Sequence, residues 1–462
     1  VTSPDRMAAA DAAATTEGRP WKLALLLLAG MAVLFFSSYN FATWVASQRA
    51  EVAVFHYAWE RHIPFVPWTI VPYWSIDLLY GISFFLWQTR AGLIVHVKRL
   101  LLAQVISVTC FIAFPLRFSF ERPVVDGLPG QLFALLGEFD KPFNQAPSLH
   151  ISLLVVLWVA YAMHLSARWR WLLHGWFALI GVSVLTTYQH HLIDVPTGWL
   201  VGWLCVFAFP LPAMLAQAEV SGVRIAVAAS KPDARARSLA RRYGVGALGA
   251  GVLSLIALAW SVTAWLVLAW VALSLACVAL VYRTGRADAF GKGTDGSMKM
   301  AAWWTLAPYL GGAFLNSRWW TRHHDAVSHV ADRVWIGRLP TQYEVAQAHA
   351  DALLDLTAEF PRLAHTPAYR CVPVLDLTVP SPAQLRDAVT QIEQWHEQGR
   401  TVLVCCALGY SRSALVVACW LARHRRIIDV QQVLSILRAS RPVVLGPASV
   451  AALQRYIDEE VA

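Results

Sequence analysis

A multi-span α-helical membrane domain followed by an α/β domain is the fold class that three observations predict. The 462 residues are 57% hydrophobic and only 15% charged, with 22 tryptophans, a composition too apolar for one water-soluble fold. Apolar runs of membrane-spanning character follow one another as far as Tyr282. Past them, Thr401 to Ser413, TVLVCCALGYSRS, reads as a buried strand, a turn with one glycine and the opening of a helix.

The alanine-rich start at Ala8 to Ala14 is expected to be disordered, and residues 1–20 are set aside as a tail. Spans are predicted near Trp21 to Ala46, Pro67 to Trp87, Leu100 to Phe114, Leu149 to Met163, Trp171 to Thr187 and Leu192 to Leu215. A crossing takes about 20 residues, so the shorter runs borrow interfacial flanks. The first is too long for a cleavable signal peptide and has no small-residue cleavage site. These six make a domain over 21–216, and Val245 to Trp260 and Ala264 to Tyr282 add two extra spans within 217–323. Tryptophan and tyrosine gather at span ends, as interfacial belts require.

Basic residues set the orientation. Arg90, Lys98 and Arg99, then Arg168 and Arg170, then Arg224, Lys231, Arg235, Arg237, Arg241 and Arg242 fall on one side by parity, which is therefore cytoplasmic. This topology accounts for most of the formal charge of +9 and argues against a nucleic-acid partner, which would need a folded basic face. Arg283 to Lys299, rich in glycine and charge, reads as a linker. Met300 to Trp320 is apolar but interrupted by Pro308, Gly311 and Gly312, so it is expected to lie at the interface. That keeps the following domain, 324–462, in the cytoplasm, where a thiol stays reduced. There, strands are predicted near Val334 and at Ala352 to Leu356, Arg370 to Leu375 and Val402 to Cys405. Helices are predicted from Gln342, from Pro382 to Glu397 behind a Ser381-Pro382 cap, after the glycine turn, and near Val430 and Ala448. None of the seven cysteines has C-x-x-C spacing.

The turn after the last strand carries chemistry. Amides from Ala407 to Arg412 at a helix's positive end can cradle a phosphoryl group. Cys406 at the base of the cradle is placed to attack phosphorus as a thiolate and form a phosphocysteine. Arg412 supplies a planar fork for two oxygens. Gly409 permits the turn, Ser411 lends a further donor, and the Ser413 hydroxyl assists the thiolate as leaving group. Chance spacing of a cysteine and an arginine is the alternative, opposed by the strand, glycine and helix around them. This stretch resembles the cysteine-dependent dual-specificity phosphatases over roughly Val327 to Ile457, with VWIGRLPT (Val334 to Thr341) and LRASRPVV (Leu437 to Val444) as further points of likeness. The resemblance implies an aspartate acid about thirty residues before the cysteine, and Asp376 fits that place; a loop cap is its other reading. It also implies a histidine before the nucleophile, where this chain has Cys405.

A second constellation lies among the spans, at the face opposite the basic loops. Arg117 and Arg122, Ser148 and His150, and Ser183, His190 and Asp194 fall at one depth by parity, where polar groups are expensive and so functional by default. His190 and Asp194 are four apart, expected on one helix face, so that the carboxylate holds one imidazole nitrogen and leaves the other nucleophilic. His190 would accept phosphorus, His150 would protonate the leaving group, and Ser148 and the arginines would balance charge. No metal is required, because His191 points away. The clusters resemble the type 2 phosphatidic acid phosphatase superfamily, near its inositol phosphoceramide synthase branch, through PSLH (Pro147 to His150) and SVLTTYQHHLIDVPTG (Ser183 to Gly198). Val184 replaces an arginine of that pattern and Pro115 a lysine, with Arg117 as a substitute cation.

The expectation is therefore a bifunctional, multi-pass phosphatase of a bacterial inner membrane, without cofactor. A cytoplasmic phosphocysteine enzyme acting on phosphorylated lipid headgroups is joined to an external histidine-dependent lipid phosphate phosphatase. The alternatives are a headgroup phosphotransferase for the membrane module and a protein Tyr/Ser/Thr phosphatase, acting on phosphoproteins, for the soluble one.

Overall fold

The computed structural model describes residues 19–211 and 233–461. The expected disordered start, the end of the sixth span and most of the basic loop lie outside the described residues. The chain divides into two compact units, Val1–Ala226 and Val227–Ala462.

In the first unit the described helices are α1 (Trp21–Ser47), α2 (Ile70–Ser83), α3 (Arg90–Ala113), α4 (Gly127–Phe139), α5 (Leu149–His164), α6 (Arg170–Thr186) and α7 (Asp194–Ala208). Among the described helices of the chain, three are long and apolar enough to cross a membrane: α1, α3 and, in the second unit, Val262–Thr284. Helix α2 has 14 residues, about 21 Å at 1.5 Å each, so the second expected span is short of a bilayer's hydrocarbon by itself. Helix α3 starts ten residues before the expected third span, and Arg90, Lys98 and Arg99 ride on it rather than in a loop. Arg99 is buried and donates through Nε to the Phe209 carbonyl at 2.9 Å. Helix α4 was not predicted from sequence. Helices α5 and α7 pack closely: a β-carbon on Gly198 would sit 2.5 Å from the Ser148 carbonyl oxygen, the close approach that small residues permit.

The second unit begins with a hairpin of α8 (Ala234–Leu258) and α9 (Val262–Thr284), followed by α10 (Met300–Trp320). Helix α8 starts eleven residues before the expected seventh span, so Arg235, Arg237, Arg241 and Arg242 belong to a helix, not to a loop. Helix α10 is continuous through Pro308. Proline's missing N–H strands the carbonyl four residues back, and the Trp270 indole of α9 satisfies it, donating to the Trp304 carbonyl at 3.1 Å.

The segment between α9 and α10 is a docked structure rather than a linker. It contains a short 3-10 turn at Ala287–Phe290 and a bridge between Lys292 and Met298. Lys292 inserts its ammonium into the following domain.

That domain is a five-stranded sheet in the order β1-β2-β5-β3-β4, formed by β1 (Val327–Ala331), β2 (Val334–Arg338), β3 (Ala352–Thr357), β4 (Ala368–Val374) and β5 (Val402–Cys406). Strand β1 is antiparallel to β2, and the other pairings are parallel. Helices α11 (Gln342–Gln347), α12 (Pro382–Glu397), α13 (Arg412–Arg425), α14 (Val430–Ser440) and α15 (Pro447–Glu460) complete it. The Ser381 cap is present: its hydroxyl accepts from the Gln384 amide at 3.3 Å, with Pro382 in first position. The principal core joins β2, β3 and β5 to α12, α13, α14 and α15 around Val404, Val417, Trp420 and Leu434. A smaller cluster on the other side includes Leu353, Phe360 and Leu403, with Phe314 of α10 packed on it. Strand β5 is central, so its carboxyl end opens where parallel sheets place their ligands.

Candidate active site

Cys406 ends β5 and Arg412 opens α13, so the six-residue turn between them is fixed at both ends by core elements. Gly409 adopts φ +78°, and a β-carbon there would lie 2.5 Å from the Gly337 carbonyl carbon; the loop closes against β2 only with glycine. Its amide donates to Cys406 Sγ at 3.2 Å, and Ser413 Oγ lies 3.3 Å from the same sulfur. The sulfur thus faces a backbone amide and a hydroxyl at the mouth of the loop. Ser411 is half-buried just before α13. Arg441, in the Arg-Pro stretch noted above, braces the loop, donating to the carbonyls of Ile336 at 3.1 Å and Leu408 at 3.5 Å.

Arg412 is fully committed on one edge. Glu359 takes it in a two-pronged pair, Nη1 to Oε2 at 3.1 Å and Nη2 to Oε1 at 2.7 Å. Nη1 also donates to the Val374 carbonyl at 2.7 Å, and Nη2 to Asp376 Oδ1 at 2.7 Å. Burial alone would lower the guanidinium's pKa; the carboxylates of Glu359 and Asp376 outweigh it and raise it well above the ordinary value. Asp376 lies in the turn after β4, part-exposed, so the expected acid does meet the expected clamp. Glu359, which holds the clamp, was not singled out from sequence; it stands two residues past the end of β3.

Two further supports come from outside the expected motifs. Lys292 Nζ, 1% exposed, donates to Asp355 Oδ2 at 2.6 Å, Thr357 Oγ1 at 2.7 Å and the Thr357 carbonyl at 2.9 Å. Burial opposes its charge, but Asp355 outweighs burial and raises its pKa. Tyr282, in the last turn of α9, donates its hydroxyl to the Asp376 carbonyl at 3.0 Å. Cys405 is buried beside Cys406 on the opposite face of β5. Burial first, then the Asp355 carboxylate, push its pKa well above the ordinary value, so it is a neutral packing thiol.

The first unit holds the other expected constellation, with differences. His190 and Asp194 do not share a helix face: His190 and His191 precede α7, and Asp194 is its first residue. The turn still joins them, with His190 Nδ1 3.1 Å from Asp194 Oδ2 and the His191 amide donating to the same oxygen at 3.0 Å. Ser148, at the start of α5, has its Oγ 3.1 Å from His190 Nε2. His150 stacks on Tyr73 with ring centroids 4.2 Å apart, and its Nε2 has no hydrogen-bond partner. Arg122 donates to the carbonyls of Thr187 at 3.2 Å and Tyr188 at 3.3 Å, bracing the histidine turn. Arg117 is exposed. Ser183 is not brought to the histidine, because its hydroxyl donates to the Ile180 carbonyl at 2.6 Å. His191 is not idle: it lies between Glu60 Oε2, 3.2 Å from Nδ1, and Ser119 Oγ, 3.2 Å from Nε2. Glu60, Ser119 and the half-buried Asp140, which accepts from Tyr39 at 2.6 Å, were not anticipated.

Residues 334–456 match the family model described as dual specificity phosphatase, catalytic domain. The C-terminal domain is thus a dual-specificity phosphatase catalytic domain, and the chain is a phosphoric monoester hydrolase. Solved structures similar to it include Tk-PTP in its active form, 24% identical with a TM-score of 0.27, covering 29% of this chain and 98% of that one. PTPMT1 in complex with PI(5)P is 20% identical, with a TM-score of 0.27 and coverage of 29% and 96%. Human DUSP28 is 23% identical, with a TM-score of 0.27 and coverage of 29% and 93%. No curated protein matches the chain.

Proposed function

We propose that the C-terminal domain hydrolyses phosphomonoesters of lipid headgroups at a membrane surface through a phosphocysteine. The observation that carries this reading is the Tyr282 hydrogen bond. A tyrosine in the last turn of a helix long and apolar enough to cross a membrane holds the backbone of the acid turn. The catalytic aspartate is thereby tied to a membrane anchor with no free tether between them, so a substrate confined to that surface meets the site at high effective concentration.

The chemistry follows from the hydrogen-bond arrangement. Asp376 and Glu359 leave Nε as the Arg412 donor without a carboxylate, so an incoming phosphoryl group must displace Asp376 from Nη2 to gain a two-pronged grip. That displacement frees the acid at the moment it is needed. Released from Arg412, the Asp376 carboxylate takes up a proton from the phosphomonoester monoanion; the Cys406 thiolate then attacks phosphorus, the P–O bond to the headgroup breaks, and Asp376 passes that proton to the departing oxygen. Water, deprotonated by Asp376, then attacks phosphorus, and the Cys406 thiolate leaves with support from Ser413 and the Gly409 amide.

A second reading concerns the first unit, where the Ser148, His190 and Asp194 relay favours a histidine-dependent phosphoryl centre acting on lipid phosphate, as hydrolase or transferase. Cys406→Ser and His190→Ala variants, assayed separately on phosphorylated lipids in vesicles and on phosphopeptides, test both readings. Loss of lipid phosphate release with Cys406→Ser supports the first. Lipid hydrolysis at the parental rate in a Cys406→Ser/His190→Ala double variant, or a preference for phosphopeptide in the parent, overturns it. An unchanged lipid product profile with His190→Ala overturns the second.

A further inference from the structure

We propose that Asp332, His396 and His424 bind one divalent transition-metal ion of zinc's kind at the end of α13 remote from Cys406. One donor atom from each residue lies within 4.8 Å of the others. They come from three separate elements: the β1–β2 turn, the last turn of α12 and the last turn of α13. Two imidazoles and a carboxylate are a donor set for zinc or its neighbours, not for calcium or magnesium, which take oxygen.

The arrangement behind the donors is what distinguishes this cluster from a chance gathering of surface groups. His424 Nδ1 lies 3.2 Å from Glu393 Oε1, and the other Glu393 oxygen accepts from the Trp420 indole at 2.6 Å. The same indole stacks on the His424 ring, with centroids 4.7 Å apart and planes at 17°. Glu393 is therefore fixed against His424 Nδ1, and His424 Nε2 faces Asp332 Oδ2, 3.6 Å away. A carboxylate that orients a histidine whose other nitrogen faces a second ligand is the outer shell that metal sites use. The His396 ring stands 4.7 Å from that of His424. Arg425 Nη2 lies 3.5 Å from Asp332 Oδ2; both side chains are over 40% exposed, so the guanidinium can swing into solvent when a cation takes its place. Water completes the coordination sphere. The ion pins the far end of the helix whose first residue is Arg412, so it acts on stability and not on the reaction.

The test uses the full chain in detergent, stripped with a chelator, titrated with zinc chloride and followed by calorimetry and thermal unfolding. Cobalt(II) absorption gives an independent measure of coordination in the parent protein. One zinc bound per chain, a melting temperature raised by several degrees, loss of both with His396→Ala and with His424→Ala, and affinity about 10–100-fold weaker with Glu393→Gln are expected. Hydrolysis of a small aryl phosphate should change less than twofold with His396→Ala. The proposal is overturned if stoichiometric binding survives His396→Ala, or if zinc leaves the parent's melting temperature unmoved. It is equally overturned if His424→Ala destabilises the stripped protein while zinc has no effect on the parent. That last result would mean that an imidazolium merely bridges Glu393 and Asp332.

Discussion

Replacing Lys292 with methionine should cost the catalytic domain both stability and turnover, although the residue lies 42 positions before the region that matches the phosphatase family. Its side chain is 1% exposed and that of Asp355 is 0% exposed. Methionine fills the stem's volume but leaves the Asp355 carboxylate with hydroxyl and amide donors and no countercharge. Breaking one side of a buried pair costs about 3–5 kcal/mol, a large share of the roughly 5–15 kcal/mol that holds a domain folded. The ammonium also anchors the Thr357 carbonyl, and two residues later Glu359 grips Arg412. The folded fraction should therefore show kcat lowered about tenfold, since small misplacements of a clamp are amplified in rate. Because the lysine's pKa is raised, the pair's contribution is fully present below the ordinary value of 10.5 and is lost only as pH rises past the raised value. Urea unfolding from neutral pH to pH 9 should consequently show a constant deficit. A Lys292→Met/Asp355→Leu double variant should regain most of the stability without regaining kcat. Parental turnover in that double variant would refute a role in positioning Arg412, and a parental denaturation midpoint in Lys292→Met would refute the buried pair itself.

Cys406→Ser should lower aryl phosphate hydrolysis by roughly 10^4-fold or more, and acid quenching during turnover should trap labelled phosphoenzyme in the parent but none in the variant. Asp376→Asn should lower kcat about 10^2–10^4-fold for alkyl phosphates but much less for nitrophenyl phosphate, whose leaving oxygen needs no proton. The same variant should bind vanadate more tightly, because no carboxylate competes for Arg412 Nη2; equal or weaker binding would contradict displacement of the aspartate by substrate. Tyr282→Phe removes one hydrogen bond, worth about 1 kcal/mol. It should lower kcat several-fold on vesicle-borne substrate while leaving the melting temperature within a few degrees, as checked by vesicle assay and calorimetry.

The catalytic loop was legible because its chemistry is local: strand, cysteine, glycine, arginine and helix occur within thirteen residues and impose their own geometry. Asp376 was reachable through the family resemblance, which implies an acid about thirty residues before the cysteine. Glu359, Lys292 and Tyr282 were not, because what makes them matter is burial against a partner far along the chain, and linear pattern carries no such distance. Arg283 to Lys299 looked like a linker because glycine and charge are normal in linkers; the pattern does not tell a solvated lysine from one whose ammonium finds Asp355. The helix starts failed for a related reason. Arg99 sits in α3 because a carbonyl of Phe209, 110 positions away, accepts from it. Apolar periodicity stops at an arginine whether or not such an acceptor exists. At the histidine turn, the four-residue spacing was read as helical, yet a turn closed by the His191 amide on Asp194 brings the same two groups together.

The substitution of Cys405 for the expected histidine becomes intelligible from the sheet. Cys405 pairs in register with Asp355 of β3, and Asp355 pairs in turn with Cys371 of β4. Between two neutral thiols, the Asp355 carboxylate has Lys292 as its cation, with the Tyr369 hydroxyl donating at 2.9 Å. An imidazole at 405 would add a second basic group to this pocket, whereas a thiol adds none and occupies less volume. A polar anchor beneath the phosphate loop is thus supplied by the segment that follows an apolar helix rather than by the residue before the nucleophile. Such an anchor makes loop order depend on the docking of that segment. Cys405→His should therefore not restore turnover to Lys292→Met, and in the parent it should lower stability by crowding Asp355. Thermal unfolding and aryl phosphate kinetics on the single and double variants check both outcomes, and rescue of kcat by the histidine would show that the two anchors are interchangeable.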